Sequence, residues 1–224
     1  MEIGCFYLRR PAGAKADGTV MAGEPQDLGS VLNDLAGLRA RADDAFDSVA
    51  ASHPEEVACR PGCDDCCHAL FDLSPVEALS IARAFAGLPR RLRREIARAG
   101  AKASGAFDRA AAAALAARGD ERLRILSRAR VACPLLKDGR CLLYAVRPLT
   151  CRLYGVPAAI EGVPRTCRLA RFRSGQSYPT VDLGAVQAEL DQLSRRACRL
   201  LPSLEPRRLD LGRVIGLAEE LAGE

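Results

Sequence analysis

A chain of 224 residues with 49% hydrophobic side chains and a net charge of +5 is long enough to bury a core of its own. Its ten cysteines are therefore not needed merely to hold a small scaffold together. Aromatic residues make up only 4% and tryptophan is absent, which argues against a surface that stacks nucleic-acid bases, while the mild positive balance permits an acidic partner without demanding one.

No apolar run reaches the length of a membrane span, and the first ten residues lack a positively charged stretch followed by an apolar core, so neither a span nor a secretory leader is expected. Clustered cysteines outside a secretory context point to reduced thiols that bind metal, and to a cytoplasmic protein.

Composition rich in Ala, Leu and Arg predicts a mainly α protein: a single helical domain over 27–224, preceded by a weakly structured tail over 1–26 that Pro11, Gly13, Gly18, Gly23 and Pro25 interrupt. Cys5 lies in that tail and reads as incidental. From Asp27 or Ser30, Val31, Leu35, Leu38, Ala42 and Val49 recur at three and four residues and predict a helix ending before His53-Pro54. Asp43, Asp44 and Asp47 fall on its solvated side. Ser74-Pro75-x-Glu77 carries a capping box with proline at the first helical position, which predicts a helix from there to Gly87.

A second helix begins near Pro89, with Leu92, Ile96, Ala99, Ala103 and Phe107 on its apolar side and Arg90, Arg94, Arg98 and Lys102 on a solvated one. A short helix is predicted over 120–131, and the stretch 133–180 is irregular, broken by prolines and glycines. A loop of that length needs something to order it. Two C-terminal amphipathic helices follow, one over Leu183–Leu200 and one over Leu209–Leu221. Cys198 sits beside apolar positions on the first and reads as a small buried hydrophobe.

The chemistry is concentrated in Cys59-Arg-Pro-Gly-Cys63-Asp-Asp-Cys66-Cys67-His68 and in a second group, Cys133, Cys141, Cys151 and Cys167. Four thiols within nine residues are too dense for ordinary core packing. Pro61-Gly62 turns the chain between Cys59 and Cys63. Helical coiling over 63–67 would set Cys63 on one face with Cys66 or Cys67. Lys137-Asp-Gly-Arg140 reads as the turn of a short hairpin that brings Cys133 and Cys141 to one end.

Together these make eight candidate ligands, enough for two four-thiolate sites or one polynuclear cluster. Adjacent Cys66 and Cys67 point in different directions, which favours more than one metal. His53 and His68 are alternative nitrogen ligands. Arg147 and Arg152 flank Cys151 and read as hydrogen-bond donors to the thiolates.

The run Cys59, Cys63, Cys66, Cys67, followed by Cys133-Pro-x-Leu136, Gly139-x-Cys141, Tyr144, Arg147-Pro148, Cys151-Arg152 and Tyr154, resembles the YkgJ-like cysteine-cluster family, also called the CxxCxxCC family of zinc- or iron-chelating proteins. The motif core spans 59–167, and the first gap here is three residues where the family's name implies two. The resemblance implies metal binding, as an iron–sulfur cluster or iron, with zinc as the alternative, and implies little about a reaction. Flagellin lysine methylases are similar in carrying such a cluster and supply an enzymatic alternative.

The spacing Cys59-x3-Cys63-x2-Cys66 also fits radical SAM enzymes, but the alternation of strands and helices expected there is missing. No glycine-rich nucleotide fingerprint is present. A zinc-stabilised nucleic-acid module, resting on the basic helix, lacks the paired finger spacings it needs, so a nucleic-acid partner is not expected. The basic and C-terminal helices leave a docking face for a protein partner.

Overall fold

The computed structural model describes residues 5–6, 27–118, 121, 124–125, 128–160 and 162–218. The fold is mainly α, as composition predicted, with only small sheets. The helices are α1 (Leu28–Ser52), α2 (Pro75–Ala86), α3 (Arg90–Ala116), α4 (Leu149–Leu153), α5 (Leu183–Leu200) and α6 (Leu211–Gly216). Short strands are β1 (Cys5–Phe6), β2 (Leu136–Lys137), β3 (Arg140–Cys141), β4 (Ala158–Ile160), β5 (Val163–Arg165) and β6 (Thr180–Asp182). The tail predicted for 1–26 lies outside the described residues apart from β1. The same is true of much of the helix predicted for 120–131 and of the end of the last helix. The chain divides into two compact units, Met1–Cys59 with Arg152–Leu200, and Arg60–Cys151 with Leu201–Glu224.

The first unit is built on α1 and α5. Asp27 caps α1 by accepting the Ser30 amide at 2.7 Å, and the helix stops before Pro54, whose ring disfavours a helical residue ahead of it. Val31, Leu35, Leu38, Ala42 and Val49 are buried along α1, and Val186, Leu190, Leu193 and Ala197 along α5. Arg41–Glu189 and Arg196–Asp34 ion pairs join the two helices at their margins. A four-stranded sheet accompanies them in the order β1-β6-β4-β5. β6 runs parallel to β1 and β4, and β4 pairs antiparallel with β5. The region read as irregular therefore contains strands. They are two or three residues long, too short for a period-2 pattern to register.

In the second unit the capping box forms as read: the Glu77 carboxylate accepts from the Ser74 hydroxyl at 2.8 Å and from the Ser74 amide at 3.2 Å. α3 buries Ile96, Gly100 and Ala103. Ala99, assigned to the apolar side, is exposed, and Gly100 takes its place because α6 crosses there at backbone distance. A Cβ on Gly212 would overlap the Gly100 carbonyl and the Ser104 hydroxyl. Asp210 caps α6, accepting from Gly212 and Arg213 amides at 3.0 and 3.1 Å and from the Ser104 hydroxyl at 2.5 Å. Gly212→Ala should therefore force the helices apart at a cost of about 1–3 kcal/mol, read as a lowered unfolding midpoint, and an unchanged midpoint would disprove the close crossing. Arg90, Arg94, Arg98 and Lys102 are all exposed, as a solvated face requires.

Candidate metal centre

The Arg60-Pro61-Gly62-Cys63 turn closes with the Cys63 amide donating to the Arg60 carbonyl at 2.9 Å. Proline and a positive-φ glycine (Gly62, φ 90°) occupy the two central positions, as a type II turn demands. The chain then makes a 3-10 turn over Asp65–His68 that presents Cys66 and Cys67. Asp65 is buried at 3% exposure and holds this turn through an ion pair with Arg130 at 2.6 Å. Sequence reasoning had given Asp65 no role, because nothing local marks its partner 65 positions away.

Arg130 begins the segment that delivers Cys133. Ala69 and Arg130 form an antiparallel bridge, Val131 donates to the His68 carbonyl at 3.0 Å, and Cys133 donates to the Cys67 carbonyl at 2.7 Å. The main chain itself thus zips the second cysteine group onto the first.

The predicted hairpin is present. β2 and β3 pair with Lys137 opposite Arg140 and Leu136 opposite Cys141. Asp138 and Gly139 both have positive φ, 51° and 70°, the conformation that an Asp-Gly two-residue turn favours. Cys151 rides on α4, whose first amide, Leu149, donates to the second oxygen of Glu77 at 2.9 Å. That carboxylate therefore ties the start of α2 to the helix carrying Cys151. The capping motif disclosed half of this role, and the half that involves α4 has no sequence signature.

Four sulfurs meet in a continuous chain: Cys151 with Cys66, Cys66 with Cys67, and Cys67 with Cys133. Hydrogen bonds from Cys151 and then Cys67 hold the Cys66 thiol down at about 3, and the Arg147 charge adds to this. Cys133 is also lowered, first by the Cys67 hydrogen bond and then, against its burial, by the Leu135 and Leu136 amides. Cys67 is raised by its bonds to Cys133 and Cys66, and Cys151 by its bond to Cys66 and by burial. Along the chain the thiols are thus raised, lowered, raised and lowered in turn. Burial raises Cys141, although the Leu143 amide opposes the shift, and its electrostatic coupling to Cys133 and Cys66 places it beside the chain.

The donor chemistry fits a metal ion. Sulfurs in contact compete for protons, and a divalent cation relieves that competition by replacing them. Amides from two or three residues downstream reach the sulfurs of Cys133 and Cys141, and in the first unit the Leu169 amide reaches Cys167 at 3.4 Å. Such donors steady a thiolate. Among the described residues no three Cys, His, Asp or Glu side chains already surround one point. None of the nine cysteines with described side chains forms a disulfide.

The remaining predicted residues are placed as follows. Cys63 is half-buried at the end of its turn. Cys59 and Cys167 belong to the first unit, where Cys167 is buried. Cys59 fills the space over Gly155, where a Cβ would overlap the Cys59 sulfur and crowd Phe46. Gly155, one of the glycines that break this stretch, makes room for this cysteine. Gly155→Ala is expected to displace Cys59 and speed its alkylation relative to Cys198, and an unchanged rate would refute that.

Arg147 stacks its guanidinium 4.0 Å from the centre of the Tyr144 ring and directs positive charge at Cys66 and Cys141. Arg152 is buried and pairs with Asp43 of α1. This tethers Arg152 to a carboxylate and corrects the reading of Asp43 as merely solvated. His53 packs edge-on against Tyr178 and Phe172, and His68 lies 3.6 Å from Asp64. Cys198 is half-buried on α5.

A thiolate chain assembled from two cysteine groups, with amides and an arginine directed at the sulfurs, defines a metal-chelating domain. Residues 58–168 match the model of the CxxCxxCC family, described as "Putative zinc- or iron-chelating domain". This stretch is a domain of that family, as the motif resemblance implied. No curated protein and no solved structure matches the chain.

Proposed function

We propose that the protein is a metal-binding protein whose clustered thiolates hold iron, as an iron–sulfur cluster or as the ion, with zinc as the competing occupant. The observation that carries this reading is the unbroken contact Cys151–Cys66–Cys67–Cys133. Neighbouring Cys66 and Cys67 each pair with a cysteine from a different segment. Adjacent sulfurs that each reach a different segment serve separate metal atoms of a polynuclear centre better than they serve two corners of one tetrahedral zinc, whose ligands come from spaced positions.

Cys63 and Cys141 complete the ligands proposed in the second unit, and Cys59 and Cys167, in the first, stand as further proposed ligands. Arg147 offsets part of their charge. When bound, an iron–sulfur centre would supply electron-transfer or carrier chemistry, and the thiols suit a reducing compartment such as the cytoplasm. The described helices include none long and apolar enough to cross a membrane.

Metal and sulfide analysis of protein purified without oxygen tests the reading. Iron with acid-labile sulfide and broad visible absorption supports a cluster. Stoichiometric zinc in a colourless protein selects the alternative, and folded protein with neither metal rejects both. Chelation should also loosen residues 133–180, because short strands and turns replace long elements there. Limited proteolysis checks this, and equal resistance with and without metal would contradict it.

A further inference from the structure

We propose that Cys67 and Cys133 are a disulfide switch that empties the metal centre on oxidation by a peroxide. This inference rests on the metal-binding reading above. The two cysteines lie on main-chain segments already tied side by side: Cys133 donates to the Cys67 carbonyl at 2.7 Å, Val131 donates to the His68 carbonyl at 3.0 Å, and Ala69 bridges Arg130 in antiparallel sense. The Cys133 amide meets the Cys67 carbonyl directly, so the two main chains touch at these residues, and a disulfide accepts Cα atoms roughly 4.4–6.8 Å apart.

The sulfurs are also already in hydrogen-bond contact, so closure requires side-chain rotation and no rearrangement of the fold. The other contacts in the chain are poorer candidates. A Cys66–Cys67 bond would have to close a strained ring across one peptide unit. Cys66 and Cys151 touch through sulfur alone, with no main-chain hydrogen bond between them among the described residues.

The chemistry balances with peroxide as the named oxidant. One sulfur attacks a peroxide oxygen, the O–O bond breaks, and hydroxide leaves and is protonated to water, giving a sulfenic acid. The partner sulfur then attacks the sulfenic sulfur, the S–S bond forms, the S–O bond breaks, and a second water departs. Two thiols lose two electrons and two protons, and one peroxide becomes two waters. The centre loses two ligands in one event, one from each cysteine group, and of the four joined sulfurs the Cys66–Cys151 pair remains. A small dithiol reverses the bond by exchange.

The test treats the protein as purified, metal included, with hydrogen peroxide, and follows metal release with a chromogenic chelator. In parallel, non-reducing peptide mass mapping identifies the linkage. The expected result is loss of most of the metal together with a 67–133 cross-linked peptide, both reversed by dithiothreitol and renewed metal. Cys198→Ser should behave as the parent, and Cys133→Ser should give no cross-link to residue 67. Metal release accompanied by a 66–67 or 66–151 link, by sulfinic acids, or by no linkage overturns the proposal. Should the purified protein carry no metal, the metal-binding reading fails separately, and mapping still shows whether Cys67 and Cys133 join.

Discussion

Cys67→Ser is expected to cost the protein more of its metal than replacement of either end of the sulfur chain, Cys151 or Cys133. Cys67, like Cys66, is an inner member of the sulfur chain with a partner on each side, Cys66 and Cys133. Removing it splits the donor set into a Cys66–Cys151 pair and an isolated Cys133. Losing an outer hydrogen-bond partner of a ligand costs roughly 10–100-fold in affinity, and loss of a direct ligand that joins two groups should exceed this. Cys141→Ser and Cys151→Ser should lower bound metal as well, and Cys198→Ser, on the outlying helix α5, should leave it unchanged. Competition titration against a chelator of known affinity gives the ranking. Equal losses from Cys67→Ser and Cys198→Ser would show that the core thiol has been misassigned.

The second large effect is expected at a residue that binds no metal. Glu77 is 2% exposed, and its two oxygens accept from Ser74 and from the Leu149 amide. Glu77→Ala removes a capping side chain and leaves a buried main-chain donor at the head of α4 without its acceptor. Those two losses add to about 2–4 kcal/mol, a large share of the roughly 5–15 kcal/mol by which a domain of this kind is stable. Chemical denaturation measures it, with Glu95→Ala as the control, since Glu95 forms only exposed ion pairs, with Arg91 and Lys137. Similar midpoints for the two variants would remove Glu77 from its structural role. Because α4 carries Cys151, the same variant should also hold less metal at a temperature where it remains folded.

What could be read in advance followed from short-range rules. The stripe Val31–Leu35–Leu38–Ala42, the Ser74-Pro75-x-Glu77 cap and the Asp138-Gly139 turn each specify local geometry within one or two turns of chain, and each formed where expected. The thiol inventory was legible for the same reason, since density alone marks it. What escaped reading depends on contacts distant in sequence. The second oxygen of Glu77 meets Leu149, Asp65 meets Arg130, Gly155 yields to Cys59, and Gly100 replaces Ala99 in the core because Gly212 lies against it. None of these partners leaves a periodic or spaced trace. Strands β4 to β6 were missed because two- and three-residue segments carry too little alternation to register.

The main-chain tie between Cys67 and Cys133 also sets an order of events. Between those residues the chain makes the whole excursion through α2 and α3, rich in local contacts that form within about microseconds. The tie itself must wait for the ends of that excursion to meet, a loop closure whose entropic cost precedes its reward. On a growing chain the Cys59–Cys67 group is made first and stands exposed to the surrounding metal pool while Cys133, Cys141 and Cys151 are still to be synthesised. An ion captured early is therefore held by half a site and can exchange. On the proposed metal-binding reading, closure of the helical excursion then adds Cys133 to whatever the first group holds, so the order of synthesis bears on when the site is completed.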